Sequence, residues 1–234
     1  MSRPGFDGWF RGARGTIPLM TPESQRTRIR RLPEKAVEDL AALHAVLDAS
    51  RVAHVGFTDE AGRPVVMPTG AARDGDRLLL HGSTGSRMFR RLADGTEVCV
   101  TLTLLDGLVL ARSAFESSMH YRSAVVFGVA TPVAGEDKVA ALRAMSEAWM
   151  PGRWDTLRPP NARELAATAV LALPLDEWSV KVSDGPPDDP AEDLDAPVWA
   201  GTLPIRTTYG PPVPAPDLRG NPRFPAESAG WSIG

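Results

Sequence analysis

Apolar and polar positions alternate with a period that changes along the chain, and each change marks an element. Glu34–Ala49 carries Val37, Leu40, Leu43, His44 and Leu47 at helical spacing, with Pro33 near the first turn, where a missing N–H costs little. From Val52 the period falls to two. Val52–Phe57, Pro64–Ala72 and Arg77–Gly82 read as strands, joined by hairpin turns at Thr58–Arg63 and Arg73–Asp76 with Ala-Gly and Asp-Gly tips. A short helix is predicted over Ser86–Ala93. Glu97–Leu105 alternates again, with Cys99, Thr101 and Thr103 on one face and Val98, Val100, Leu102 and Leu104 on the other. Asp106-Gly107 predicts a turn into Leu108–Ser113, and Tyr121–Thr131 a long apolar strand. Glu136–Met150 places Val139, Leu142, Met145 and Trp149 on one stripe, the pattern of a helix packed on a core. Residues 161–168 predict a short helix and Val170–Val182 a closing strand.

These elements describe a mostly β chain of about six antiparallel strands with flanking helices, consecutive strands pairing as hairpins do. Such a meander closes readily into a small barrel, because closure removes exposed edges. Residues 1–32 lack a period and read as an irregular lead-in, 33–183 as the barrel domain and 184–234 as a separate arm. Half of the 22 prolines lie after Ser183, which rules out helix interiors and central strands there. The arm is either an extended segment docked through Trp199, Leu203, Ile205 and Tyr209, or a solvated tail.

Composition narrows the function. With 43% hydrophobic residues, the 234-residue chain sustains a real core. Lysine and arginine number 26 against 29 acids, for a net charge of -3, which argues against a nucleic-acid partner; the basic run Arg26–Arg31 reads as solvated. The one cysteine, Cys99 within Val98-Cys99-Val100, reads as a packing residue and excludes an intramolecular disulfide. No apolar run reaches the length of a membrane span, and no signal-like apolar stretch precedes Arg11 and Arg14. The expectation is a cytoplasmic protein with no membrane partner.

Candidate chemistry concentrates in Leu78–Leu92. A strand ends at Gly82, small polar residues turn the chain, and a helix opens near Ser86. Helix-start N–H groups lack internal partners, Ser83, Thr84 and Ser86 add hydroxyls, and Arg87 adds a guanidinium fork suited to phosphate. Together they form a plausible anion cradle, with Gly82 and Gly85 allowing close approach. The plainer alternative has Ser83 or Ser86 capping the helix, His81 as an ordinary strand residue, and Arg90 and Arg91 on a solvated face. The glycine spacing matches neither a Walker loop nor a dinucleotide fingerprint. Pro68 within a strand removes a ladder donor, which fits either an edge open to a ligand or a simple bulge.

Several blocks, in this order and spacing, resemble a known family. They are Arg30-Arg31-Leu32-Pro33; Pro64-Val65-Val66-Met67-Pro68-Thr69; His81-Gly82-Ser83 with Ser86-Arg87; and Val98-Cys99-Val100-Thr101 running through Leu105-Asp106-Gly107 to Tyr121-Arg122-Ser123. Trp199-Ala200-Gly201 with Pro204 completes the set. Over residues 26–215 the chain resembles the FMN-binding split-barrel superfamily, and within it the pyridoxamine 5'-phosphate oxidase-like proteins of the nitroimidazole-resistance branch. The resemblance implies an antiparallel six-stranded split β-barrel and a homodimer with FMN at its interface. It places Met67, Pro68 and Thr69 along the flavin ring, Ser83, Ser86 and Arg87 at the phosphate, and His81 beside them. Tyr121, Arg122 and Ser123 would reach the partner subunit's flavin, or else form a plain strand start with Arg122 paired to Glu116. Trp199 is then either a lid on the ring or a hydrophobic anchor.

The implied activity is electron transfer from a reduced nicotinamide to a small acceptor, with the flavin supplying the chemistry and no catalytic side chain or metal required. Alternatives are a flavin-binding module without turnover, a reduced deazaflavin as cofactor, and a haem protein ligated by His81, His120 or His54. The chain departs from true pyridoxamine 5'-phosphate oxidases in having Met88 after Arg87 and no second basic cluster for a phosphorylated amine.

Overall fold

A computed structural model describes residues 24–220, 222, 224 and 225. Most of the expected lead-in, including Arg11 and Arg14, lies outside the described residues. The chain forms β1 (Ala36–Val37), α1 (Leu40–Ala49), β2 (Val52–Thr58), β3 (Pro64–Asp74), β4 (Arg77–Ser83), α2 (Arg87–Ala93), β5 (Glu97–Leu110) and β6 (Ser118–Val129). It continues through β7 (Thr131–Pro132), α3 (Gly135–Trp149), α4 (Ala162–Ala167), β8 (Thr168–Pro174), β9 (Glu177–Ser183) and β10 (Gly201–Pro204).

All strand pairs are antiparallel, in the order β1-β9-β6-β5-β2-β3-β4-β8-β7, with β10 added beside β5. The sheet curls around a core built from β2 to β6, β8, β9, α1 and α2, in which Leu43, Leu47, Leu80, Leu102 and Leu173 are fully enclosed. A second, smaller core lies on the outer side of β3, β4 and β8, where Leu79, Ala72 and Val170 meet Ala141 and Met145 of α3. This is a split barrel, mostly antiparallel β with flanking helices.

Among the described residues ten strands replace the six expected, for identifiable reasons. The predicted closing strand is a hairpin, β8 and β9, folded at Leu175 and Asp176. The predicted helix over 34–49 begins only at Leu40, because the Asp39 side chain caps it by accepting the Ala41 N–H at 2.9 Å. Upstream of that cap, Val37 pairs with Val180 as part of β1. The predicted turn at Asp106-Gly107 is instead a bulge inside one continuous strand, β5. Before it Val98, Val100 and Leu102 point into the core; after it Val109 does, while Leu108 and Leu110 face outward. One inserted residue reverses the alternation.

Arg26, read as part of a solvated run, is a clamp. Its guanidinium bonds Glu177 of β9 and, at 2.7 Å, Glu97 of β5, and lies 4.8 Å over the Phe127 ring of β6. Hydrogen bonds from Arg26 and then Ser24 hold the Glu177 carboxyl at about 2, below its ordinary 4.5. A carboxyl depressed by folding contributes stability that is complete above about 4.5 and lost as pH falls toward 2. Arg26→Ala is therefore expected to shrink the difference in denaturation midpoint between pH 7 and pH 3. An unchanged difference would show that the clamp adds nothing.

Candidate functional site

β3 changes partners along its length. It pairs with β2 from Pro64 to Gly70, but with β4 only from Ala71 to Asp74. Among the described residues no strand pairs with the other side of its first half, so Pro64–Gly70 offers an open edge. Pro68 sits in that half, and Val66 and Met67 are exposed there, 65% and 45%. Thr69 ties this edge to the next element by donating its hydroxyl to the carbonyl of His81 at 3.3 Å.

β4 runs from that carbonyl into the 83–86 turn. The Ser83 hydroxyl accepts the Gly85 N–H at 3.1 Å, and the Thr84 hydroxyl bonds carbonyls at the end of α4. Both are spent on holding the turn. Ser86, by contrast, sits at the N-cap without a side-chain cap bond, and exposed Arg87 has no acid partner among the described residues. Free charge and hydroxyl are thus presented at the turn, while Met88 and Phe89 plunge into the core. Gly82, expected to admit a ligand, does something else: a Cβ there would lie 2.3 Å from the Phe89 ring. Its missing side chain makes room for the core.

His81 turns away from that cradle. On β4 it has the parity of Leu79 and faces α3, where its ring lies 5.3 Å from the Trp149 ring at 56°. Trp149 is fixed by donating its indole N–H to the Ala71 carbonyl at 2.9 Å. Both rings line a cavity of about 430 Å³ with Leu142, Met145, Met150, Trp154, Leu157, Arg158, Pro160 and Glu164. Arg158 and Glu164 pair with one another there. Burial lowers the pKa of His81 and keeps its imidazole neutral; Nδ1 is enclosed without a hydrogen-bond partner. Sequence reasoning missed this cavity. Its only local signal is the apolar set Trp154 and Leu157 within a stretch rich in Gly, Arg and Pro.

The remaining predicted residues lie elsewhere. Tyr121, Arg122 and Ser123 are on β6, separated from β3 by β5 and β2, so one subunit does not bring them to the cradle. Arg122 pairs with Asp106 at the β5 bulge, through two bonds of 2.9 and 2.8 Å, and not with Glu116. The arm docks mainly by backbone: β10 pairs with β5, Asp189 receives the Arg112 guanidinium and N–H, and the Asp189 side chain is 1% exposed. Trp199 remains 67% exposed, packed over Gly201. Cys99 is half-buried and burial raises its thiol pKa, in keeping with packing. Among the described residues no cluster of three metal-ligating side chains occurs, and no helix is long and apolar enough to cross a membrane.

Comparison with known proteins now bears on this geometry. No curated protein matches the chain. A FAD- and haem-binding protein from Mycobacterium smegmatis is 43% identical, with a TM-score of 0.81 over 85% of this chain and 97% of that one. The flavocytochrome Anf3 from Azotobacter vinelandii is 40% identical, with a TM-score of 0.84 over 90% and 98%. A putative 5-nitroimidazole resistance protein from Bacteroides thetaiotaomicron, 23% identical with a TM-score of 0.53 over 63% and 86%, shares the fold. Residues 39–182 match the family model described as pyridoxamine 5'-phosphate oxidase, and with the two full-length likenesses this places the chain in the pyridoxamine 5'-phosphate oxidase-like family.

Proposed function

We propose that the protein is a homodimeric flavin-binding oxidoreductase that accepts electrons from a reduced nicotinamide and passes them to a small acceptor. The observation that carries this reading is the open edge of β3 leading directly into a turn whose Ser86 and Arg87 have no other work. Arg87 and Ser86 hold the flavin phosphate, with Ser83 shaping the turn between them. Met67, Pro68 and Thr69 flank the ring, whose polar edge meets the unpaired backbone groups of β3. When bound, the flavin supplies the redox chemistry; the chain supplies position.

FMN and FAD share the ring and first phosphate, so one cradle serves both. The likeness to a FAD-binding protein makes FAD the first flavin to test and FMN the second. The same likenesses favour a flavin-and-haem branch over the nitroimidazole-resistance branch. The dimer is supported by apolar residues left exposed on several strands of the sheet: Val66 and Met67 of β3, Leu105 and Leu108 of β5, Met119 of β6 and Leu203 of β10. In such a dimer Tyr121, Arg122 and Ser123 approach the flavin held by the partner subunit. Oxidation of a phosphorylated pyridoxamine is not part of the proposal, because the side chain after Arg87, Met88, is buried in the core.

The test is an absorption spectrum of the purified protein, chromatography of the extracted cofactor, and reduction by NADH or NADPH. FAD or FMN at about one per subunit, bleached by a nicotinamide, is the expected result. A colourless protein that takes up neither flavin would overturn the reading. Bound flavin that no nicotinamide reduces would leave a binding module without turnover.

A further inference from the structure

Beyond β10 the arm buries little of itself. Every residue from Leu203 to Gly220 is exposed, among them Tyr209 at 49%, Val213 at 90% and Leu218 at 50%. Pro211, Pro212, Pro214 and Pro216 fix φ through this stretch and hold it extended, so it has little conformational entropy left to lose on docking. The arm does not cover the flavin edge of its own subunit, where Val66 and Met67 stay exposed.

The point at which the arm departs is specific. Just past the paired strand, Ile205 donates its N–H to the Asp106 carbonyl at 2.9 Å. The carboxylate of that same Asp106 holds the Arg122 guanidinium through bonds of 2.9 and 2.8 Å. Arg122, with Tyr121 and Ser123, is the part of this subunit that approaches the partner's flavin in the proposed dimer. One residue at the β5 bulge thus fixes both that approach and the exit of the arm. In a two-fold dimer each subunit does to the other what is done to it, so each arm leaves toward the other's site. Tyr209 follows four positions after Ile205, a reach of at most about 14 Å in an extended chain.

We propose that the arm crosses to the partner subunit and closes over the flavin held there, with Tyr209 as the aromatic cover of the ring. The inference rests on the flavin-dimer reading and adds a residue from the second subunit to the site. A phenol suits that place: its flat ring stacks on an isoalloxazine while its hydroxyl stays in water. Trp199 does not serve, because it precedes β10 at the opposite end and its ring is packed over Gly201. The docked arm shields the ring from water and slows escape of the flavin.

The test uses full-length protein loaded with FAD or FMN and reads flavin fluorescence and the rate of flavin loss. Stacking on tyrosine quenches the fluorescence. Tyr209→Ala is therefore expected to brighten the bound flavin and release it about three- to tenfold faster, while Tyr209→Phe keeps the parent values. Mixed dimers decide which subunit supplies the ring. Arg87→Ala subunits and Tyr209→Ala subunits, each with its own affinity tag, are co-expressed and purified through both tags. At a flavin concentration that leaves the Arg87→Ala cradle empty, flavin sits only on the Tyr209→Ala subunit. The expected result is parent-like brightness and release there, because the intact Tyr209 comes from the other subunit. Values like those of the Tyr209→Ala homodimer would place the cover on its own subunit and overturn the proposal. A Tyr209→Ala homodimer indistinguishable from the parent would overturn it as well, and both results leave the flavin dimer standing. A parent that sediments as a monomer, or takes up no flavin, overturns the flavin-dimer reading and the arm's role with it.

Discussion

Arg87→Ala is expected to lower flavin affinity by about ten- to a hundredfold, leaving the fold intact. A hydrogen bond from a charged donor is worth about 1.5–3 kcal/mol, and about 1.4 kcal/mol is tenfold in affinity. Arg87 is exposed and bonds no acid among the described residues, so its removal breaks no internal contact. The whole effect should therefore appear in flavin retention and none in the denaturation midpoint. Arg91 is the built-in control. It begins one turn further along α2, donates to the Thr58 carbonyl at 3.3 Å, and its replacement should leave flavin binding near the parent value. Equal flavin content in the Arg87 variant and the parent, measured after desalting, would remove the phosphate assignment.

The second large effect is on stability. Gly82→Ala places a methyl group 2.3 Å, 2.7 Å and 2.9 Å from three atoms of the Phe89 ring, which is itself 4% exposed and hemmed in by the core. Phe89 stands on α2 with its ring in the core, so relieving the contact requires that ring to move among packed neighbours. Overpacking of this kind costs about 3 kcal/mol at the upper end, which for a chain of this size lowers the melting temperature by about 6–12 °C. Gly85→Ala, three residues on, meets only the Ser83 hydroxyl at 3.5 Å, an ordinary contact, and should cost little. If the clash is the cause, Phe89→Leu should recover part of the loss when combined with Gly82→Ala. A melting temperature within 1 °C of the parent for Gly82→Ala would show that the ring relocates freely, in the range of about 0.3–0.5 kcal/mol.

The sequence made the hairpins legible because their signals are local. Ala61-Gly62 and Asp74-Gly75 stand between alternating runs, and both glycines take positive φ, at 75° and 58°. The start of α1 was not legible: Val37 has the right spacing for the helix, and only the bond from Asp39 to the Ala41 N–H shows where it stops. Asp106-Gly107 was ambiguous in kind, since the same dipeptide that turns a hairpin also makes a bulge, and what decides is the long run of pairing with β6 on both sides. Leu78, Leu79 and Leu80 read as one apolar run, yet they divide between two cores, and that division sends His81 toward α3. No local period reports it, because the wall that makes a cavity of that space comes from residues 142–164, some sixty positions away.

The pairing of β10 with β5 has a consequence for biosynthesis. Gly107–Leu110 is made some ninety residues before Gly201–Pro204, and Ala36–Val37 waits still longer for Val180 and Lys181. On the ribosome both strands present bare backbone edges for many seconds, at elongation rates of about 5–20 residues per second. High contact order of this sort slows folding and leaves the nascent barrel open to pairing with a neighbouring nascent chain. Arg112, which sits just past the end of β5, holds the arm ahead of β10 through Asp189, a residue synthesised before Gly201.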